Sequence, residues 1–214
     1  MTGVNKIMTT SPVIPVLTVD DLASAGPLAL ALSTGGLRVL ELTLRTPVAL
    51  DAIKAMIKAA PDAIVGAGTV LDPDALKRAV DAGAKFIVSP GLTKHLAKAA
   101  EEADVPLLPG VATATDIMRG LDLGLTRFKF FPAETSGGAA AISAFAGPFS
   151  GVSFCPTGGI TPTNAPAYLA LANVLCVGGT WVAPKAAVAA GDWAQIRELA
   201  GRAAGLPSHS APLD

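Results

Sequence analysis

The chain has 214 residues, 51% of them hydrophobic and 15% charged, with a formal net charge of −1. That length and apolar content suit one domain with a substantial core, and the near-neutral balance gives no footprint for nucleic acid or an anionic membrane surface. No apolar run reaches the roughly 18 residues of a membrane span, the opening MTGVNKIMTTSP lacks the apolar stretch of a secretory signal, and two cysteines and two histidines at scattered positions make neither a disulfide framework nor a metal-ligand cluster.

The composition therefore leads us to expect a cytoplasmic protein with Cys155 and Cys176 as reduced core thiols and with no metal or cofactor. Any catalysis would rest on lysine, carboxylates, hydroxyls and backbone. Along the chain, runs rich in Val, Ile, Leu and Phe recur. They are VIPVLTV from Val13, LRVLELTLR from Leu37, AIVGAGTV from Ala63, KFIVSPG from Lys85, PLLPGVAT from Pro106, RFKFFPA from Arg127, SFCPTGGI from Ser153 and VLCVGGTWV from Val174. Their starts lie 21 to 26 residues apart. Between them sit Ala/Leu-rich segments with helical spacing, such as PVALDAIKAMIKAA and DPDALKRAVDAGA; the second offers Asp72 as an N-cap and Pro73 as the first helical residue. Eight strands alternating with helices at a near-constant period predict a single-domain (β/α)8 TIM barrel over residues 1–214. The competing open doubly wound sheet would carry a G-x-G-x-x-G turn after the first strand, and VIPVLTVDDLASAG has none. Only the ends, about 1–10 and 205–214, read as loose. His209 falls in that tail and His95 on a surface helix; neither is a candidate for chemistry.

Side chains alternate along a strand, so parity separates the two faces. In LRVLELTLR, Leu40, Leu42 and Leu44 form a face for covering helices, which leaves Glu41, Thr43 and Arg45 pointing into the barrel. In RFKFFPA, Phe128 and Phe130 form the helix-facing pair, and Arg127, Lys129 and Phe131 share the inner face. Lys129 is then an ammonium in apolar surroundings, costly to bury unpaired. One bland reading is a buried ion-pair network, or a lysine reaching for a barrel mouth. Buried pairs are a poor source of stability, however, and Lys129, Glu41 and Arg45 together near the C-terminal ends of their strands favour an active site. Amine catalysis fits these residues. Desolvation and a neighbouring cation, such as Arg45 or Arg127, enlarge the share of free amine, which can form a Schiff base with a ketone. Glu41 would move protons, and Arg45 offers a planar fork to a carboxylate.

Two glycine pairs close the last two strands, Gly158 and Gly159 in CPTGGIT and Gly178 and Gly179 in CVGGTW. Glycines terminate strands in any barrel. Here they follow strands seven and eight, where barrel enzymes bind phosphate through backbone N–H groups, and Thr180 adds a hydroxyl. GAGTV places Thr69 on the substrate-facing rim, and with no following Gly-Lys-Ser it is not a P-loop.

These residues, in LELTLRTPVALDAI, IVGAGTVLDP, FIVSPGLT, FKFFPAE, AFAGPFSGVSFCPTGGI and VGGTW, resemble the 2-keto-3-deoxy-6-phosphogluconate (KDPG) and 4-hydroxy-2-oxoglutarate (KHG) aldolase family, from about Ser11 to about Gly201. The resemblance implies a class I aldolase, usually a homotrimer. Such an enzyme cleaves the phosphorylated keto acid of the Entner–Doudoroff route to pyruvate and glyceraldehyde 3-phosphate, and many members also act on 4-hydroxy-2-oxoglutarate. By position it makes Lys129 the Schiff-base lysine and Glu41 the proton-transferring glutamate. Arg45, Thr69 and Phe131 fall at the pyruvate end, and Gly158, Gly159, Gly179 and Thr180 at the phosphate end, with Thr180 where a serine is common. Three alternatives stay open: a phosphosugar isomerase or epimerase on the same barrel, with Glu41 as base and no covalent lysine; a non-catalytic sensor of a phosphorylated keto acid; and an aldolase for the C4-epimeric 2-keto-3-deoxy-6-phosphogalactonate.

Overall fold

A computed structural model of the chain describes residues 3–207; His209 and most of the tail read as loose lie outside them. The fold is a (β/α)8 barrel. A short helix α1 (Gly3–Thr9) is followed by β1 (Val13–Leu17), α2 (Leu22–Thr34), β2 (Val39–Thr43), α3 (Ala49–Ala59), β3 (Ile64–Gly68), α4 (Pro73–Asp81), β4 (Ile87–Val88) and α5 (Lys94–Glu102). The fifth barrel strand comes in two pieces, β5 (Leu107–Leu108) and β6 (Gly110–Val111). Pro109 between them has no N–H to give to the ladder, while its carbonyl still accepts from Lys129 N at 2.9 Å. Then follow α6 (Ala114–Asp122), β7 (Arg127–Phe130), α7 (Gly138–Phe145), β8 (Ser153–Pro156), α8 (Ala165–Leu169), β9 (Val177–Gly179), α9 (Lys185–Ala190) and α10 (Trp193–Ala204). All strand pairs are parallel. One run of neighbours is β5-β4-β3-β2-β1-β9 and the other β6-β7-β8. Bridges Phe154↔Val174 and Thr157↔Gly178 join the two runs and close the ring, which excludes the open sheet.

Local chemistry agrees with this arrangement. Asp72 caps α4 by accepting from Ala75 N at 2.7 Å, with Pro73 in the first turn, and Thr113 and Asp116 form a reciprocal capping box on α6. The strand faces divide as parity predicts. Leu40, Leu42, Phe128 and Phe130 lie in the layer between sheet and helices. There Phe130 meets Phe145 and Phe154 edge to face at 6.1 and 6.3 Å, contacts worth about 0.5–1.5 kcal/mol each beyond burial. A second cluster, including Ile14, Val39, Phe86, Val88, Leu108, Cys155 and Cys176, fills the lumen. Its two thiols are free and buried; a hydrogen bond with Cys155, together with burial, pushes the Cys176 thiol up and keeps it protonated.

From Gly3 on, the first ten residues are not loose. Residues 3–9 form α1, and its Ile7 and Met8 are buried in the lumen cluster. Burial of this apolar pair over the lumen, together with the helical hydrogen bonds of α1, offsets the chain entropy lost in ordering the segment. Arg127 also departs from expectation. Its guanidinium is engaged by Asn5 of α1 at 3.0 Å and by the Gly151 carbonyl at 3.3 Å, so it is tied up at the end of β7 away from the strand's C-terminus.

Candidate active site

The site sits at the C-terminal ends of the strands, where this fold builds its binding surfaces. β7 and β2 stand on opposite sides of the ring, and their inward side chains meet across it: Lys129 Nζ donates to Glu41 Oε1 at 3.1 Å. Lys129 is 5% exposed and Glu41 3%, whereas the other ion pairs among the described residues lie within single helices at the surface. A pair so desolvated is expensive to keep. The Phe131 ring lies beside the amine, 5.3 Å from Nζ to its centroid.

Above the pair opens a cavity of about 220 Å³, lined by Lys129, Arg45, Phe131, Val16, Thr157, Ile160, Thr180 and the glycines 158, 159, 178 and 179. The structure thus brings Lys129, Arg45, Phe131, Gly158, Gly159, Gly179 and Thr180 around one space, with Glu41 hydrogen-bonded to Lys129 beneath it. Thr69 joins through Arg45, whose Nε donates to Thr69 Oγ1 at 3.1 Å. Thr69 has φ 59°, a left-handed backbone that costs a β-branched residue about 1–3 kcal/mol and collects at functional sites. Thr43, on the same strand face as Glu41, is bound to the first strand, donating to the Leu17 carbonyl at 2.8 Å and meeting Thr18 Oγ1 at 3.0 Å. A second cavity of about 360 Å³ shares Val16 and Thr180 with the first and is lined by Asp20, Asp21, Ser24 and Lys185, among others. It lacks the amine–carboxylate pair.

Two features escaped the sequence reading. Thr157 is buried and lines the cavity beside the lysine strand; it sits in the CPTGGIT stretch read only for its glycines. Gly68 faces the Glu41 side chain so closely that any β-carbon there would overlap the carboxylate. The signal for Gly68 lay in the register Thr43↔Gly68 of the neighbouring strands, which follows only once the sheet is paired. Gly179 makes room in the same way for the Trp181 ring, and Gly159 for the Glu134 side chain.

Chemically, the arrangement is an amine held in a buried lumen against a carboxylate. Above it, a guanidinium–hydroxyl pair lies to one side and a rim of open backbone to another. Comparison with known proteins places it further. The sequence model of the family described as KDPG and KHG aldolase matches residues 4–199. The KHG/KDPG aldolase of Escherichia coli is 56% identical over 199 residues, 93% of each chain. The crystal structure of the 2-keto-3-deoxy-6-phosphogluconate aldolase of Zymomonas mobilis with 3-phosphoglycerate superposes with a TM-score of 0.93 at 54% identity, covering 98% of this chain and 99% of that one. The KDPG aldolase of Legionella pneumophila, with pyruvate captured as a covalent carbinolamine, gives a TM-score of 0.92 at 46% identity, covering 94% and 98%.

Proposed function

The chain belongs to the KDPG and KHG aldolase family, and from that premise we infer that it cleaves 2-keto-3-deoxy-6-phosphogluconate to pyruvate and glyceraldehyde 3-phosphate, and 4-hydroxy-2-oxoglutarate to pyruvate and glyoxylate. The observation that carries the reading is the buried Lys129–Glu41 contact beneath the cavity. We assign Lys129 as the nucleophile. Its amine adds to the C2 ketone, and loss of water from the carbinolamine leaves an iminium. Glu41 takes the proton from the C4 hydroxyl; the C3–C4 bond breaks, its electron pair flows into the iminium, and the aldehyde departs. Glu41 returns a proton to C3 of the enamine, and water releases pyruvate from the lysine. No step calls for a metal or cofactor.

Arg45 and Thr69 are assigned to the substrate carboxylate, a planar fork matched to a planar anion, with Phe131 walling the amine. Gly158, Gly159, Gly179 and Thr180 are assigned to the phosphate, through backbone N–H groups and one hydroxyl. The protein is proposed to work in the cytoplasm as a homotrimer of single-barrel subunits, a reading that rests on the family resemblance and on two reduced thiols.

The reading is tested by kcat/KM on KDPG, its C4 epimer and 4-hydroxy-2-oxoglutarate, for the wild type and Thr180→Ala. The wild type should prefer KDPG over the epimer. Thr180→Ala should raise KM for KDPG by about tenfold, the value of one hydrogen bond to a charged group, and leave the unphosphorylated substrate within about twofold. Absence of pyruvate from all three substrates would overturn the function, and equal losses on both kinds of substrate would overturn the phosphate assignment. Alanine at Gly159 or Gly179 is a poorer test, since each would first displace Glu134 or Trp181.

A further inference from the structure

Glu134 and Tyr168 make a contact that the chemistry above does not use. Glu134 opens the short 3-10 turn Glu134–Ser136, just beyond the strand that carries Lys129. Tyr168 lies on α8 with its ring buried, and its hydroxyl donates a hydrogen bond to Glu134 Oε1. Burial first, and the carboxylate second, push the phenol far above its ordinary range, so it remains a donor.

The same glutamate is built into the glycine pair assigned to the phosphate. Its N–H donates to the Gly158 carbonyl at 3.2 Å. Its Cβ and Cγ lie over the open face of Gly159, where a β-carbon would collide with them. From the α8 side, Asn164 Nδ2 donates to the Gly159 carbonyl at 3.1 Å. A carboxylate packed on that pair repels an arriving phosphate to a degree set by its direction and distance. Pinned by Tyr168, it is drawn toward α8.

We propose, resting on the phosphate assignment above, that Tyr168 and Glu134 set the preference between phosphorylated and unphosphorylated keto acids: the tyrosine hydroxyl holds the Glu134 carboxylate away from the place of the phosphate. Both are positioning residues, since neither lines the cavity around Lys129.

The test is KM and kcat on KDPG and on 4-hydroxy-2-oxoglutarate for Tyr168→Phe, Glu134→Gln and the double variant, with Thr180→Ala alongside. Tyr168→Phe frees the charge and should raise KM for KDPG by about fivefold, less at high salt, with kcat and the unphosphorylated substrate within about twofold. Glu134→Gln keeps an acceptor for the tyrosine and loses the charge, so KM for KDPG should stay level or fall. The double variant should recover the wild-type KM, because the freed side chain is then neutral. A double variant as poor as Tyr168→Phe, or equal losses on both substrates, would reduce the contact to a scaffold and overturn the proposal. Thr180→Ala leaving KM for KDPG untouched would instead remove the phosphate from this rim, and the proposal with it.

Discussion

Lys129→Ala is expected to lower kcat/KM for KDPG by at least about 10⁴-fold, the scale on which enzymes lose a covalent nucleophile. The physical reason is specific to this amine. It lies 3.1 Å from Glu41 in a lumen closed from below by α1, so no other described lysine can take its place; Lys185, which lines the neighbouring cavity, is exposed. Removing it also leaves a buried carboxylate without its partner. The variant should therefore lose about 3–5 kcal/mol of stability, seen as a lowered Tm with the circular dichroism of the folded barrel retained. Residual activity within about tenfold of wild type would mean that catalysis does not pass through this residue.

Glu41→Gln is expected to lower kcat by about 10²-fold or more, the usual contribution of a positioned acid–base group. The amide keeps an oxygen for Lys129 Nζ but cannot carry the C4 proton away or deliver one to C3. KM should change much less than kcat, because the carboxylate serves the proton transfers, while Arg45, Thr69 and the glycine rim are the groups assigned to holding the substrate. Imine formation should slow as well, since dehydrating the carbinolamine needs proton transfers. An unchanged kcat would reduce Glu41 to a counter-ion.

Much of this site was legible in the sequence because both of its central residues sit in strands with an unambiguous outer face. Three leucines in LELTL and two phenylalanines in FKF assign the helix side, and what remains must point inward. Periodicity carried the barrel, and the glycine pairs carried the rim. The features that escaped depend on contacts between distant segments. α1 covers the lumen with Ile7 and Met8, beside a half-buried Val4, and its seven residues make less than two full turns of pattern, too short to stand out as an amphipathic helix. Arg127 shares the parity of Lys129, yet its stem lies two residues toward the strand's N-terminal end and finds Asn5 of α1 there; parity gives the face, not the depth. Gly68 and Gly159 look like any strand-end glycine until Glu41 and Glu134 are seen to occupy the space beside them. Tyr168 is separated from Glu134 by 34 residues, and nothing local in APAYL marks its hydroxyl for a partner.

The proposed chemistry stands on a covalent bond between Lys129 and the keto acid. Its most direct measurement is peptide mass spectrometry after incubating the enzyme with pyruvate and borohydride, which reduces an imine to a stable amine. One reduced pyruvyl group per subunit is expected, on Lys129 alone, with activity lost in proportion to labelling and with no label in Lys129→Ala. A label on another lysine, or full activity and no label under conditions of turnover, would contradict it.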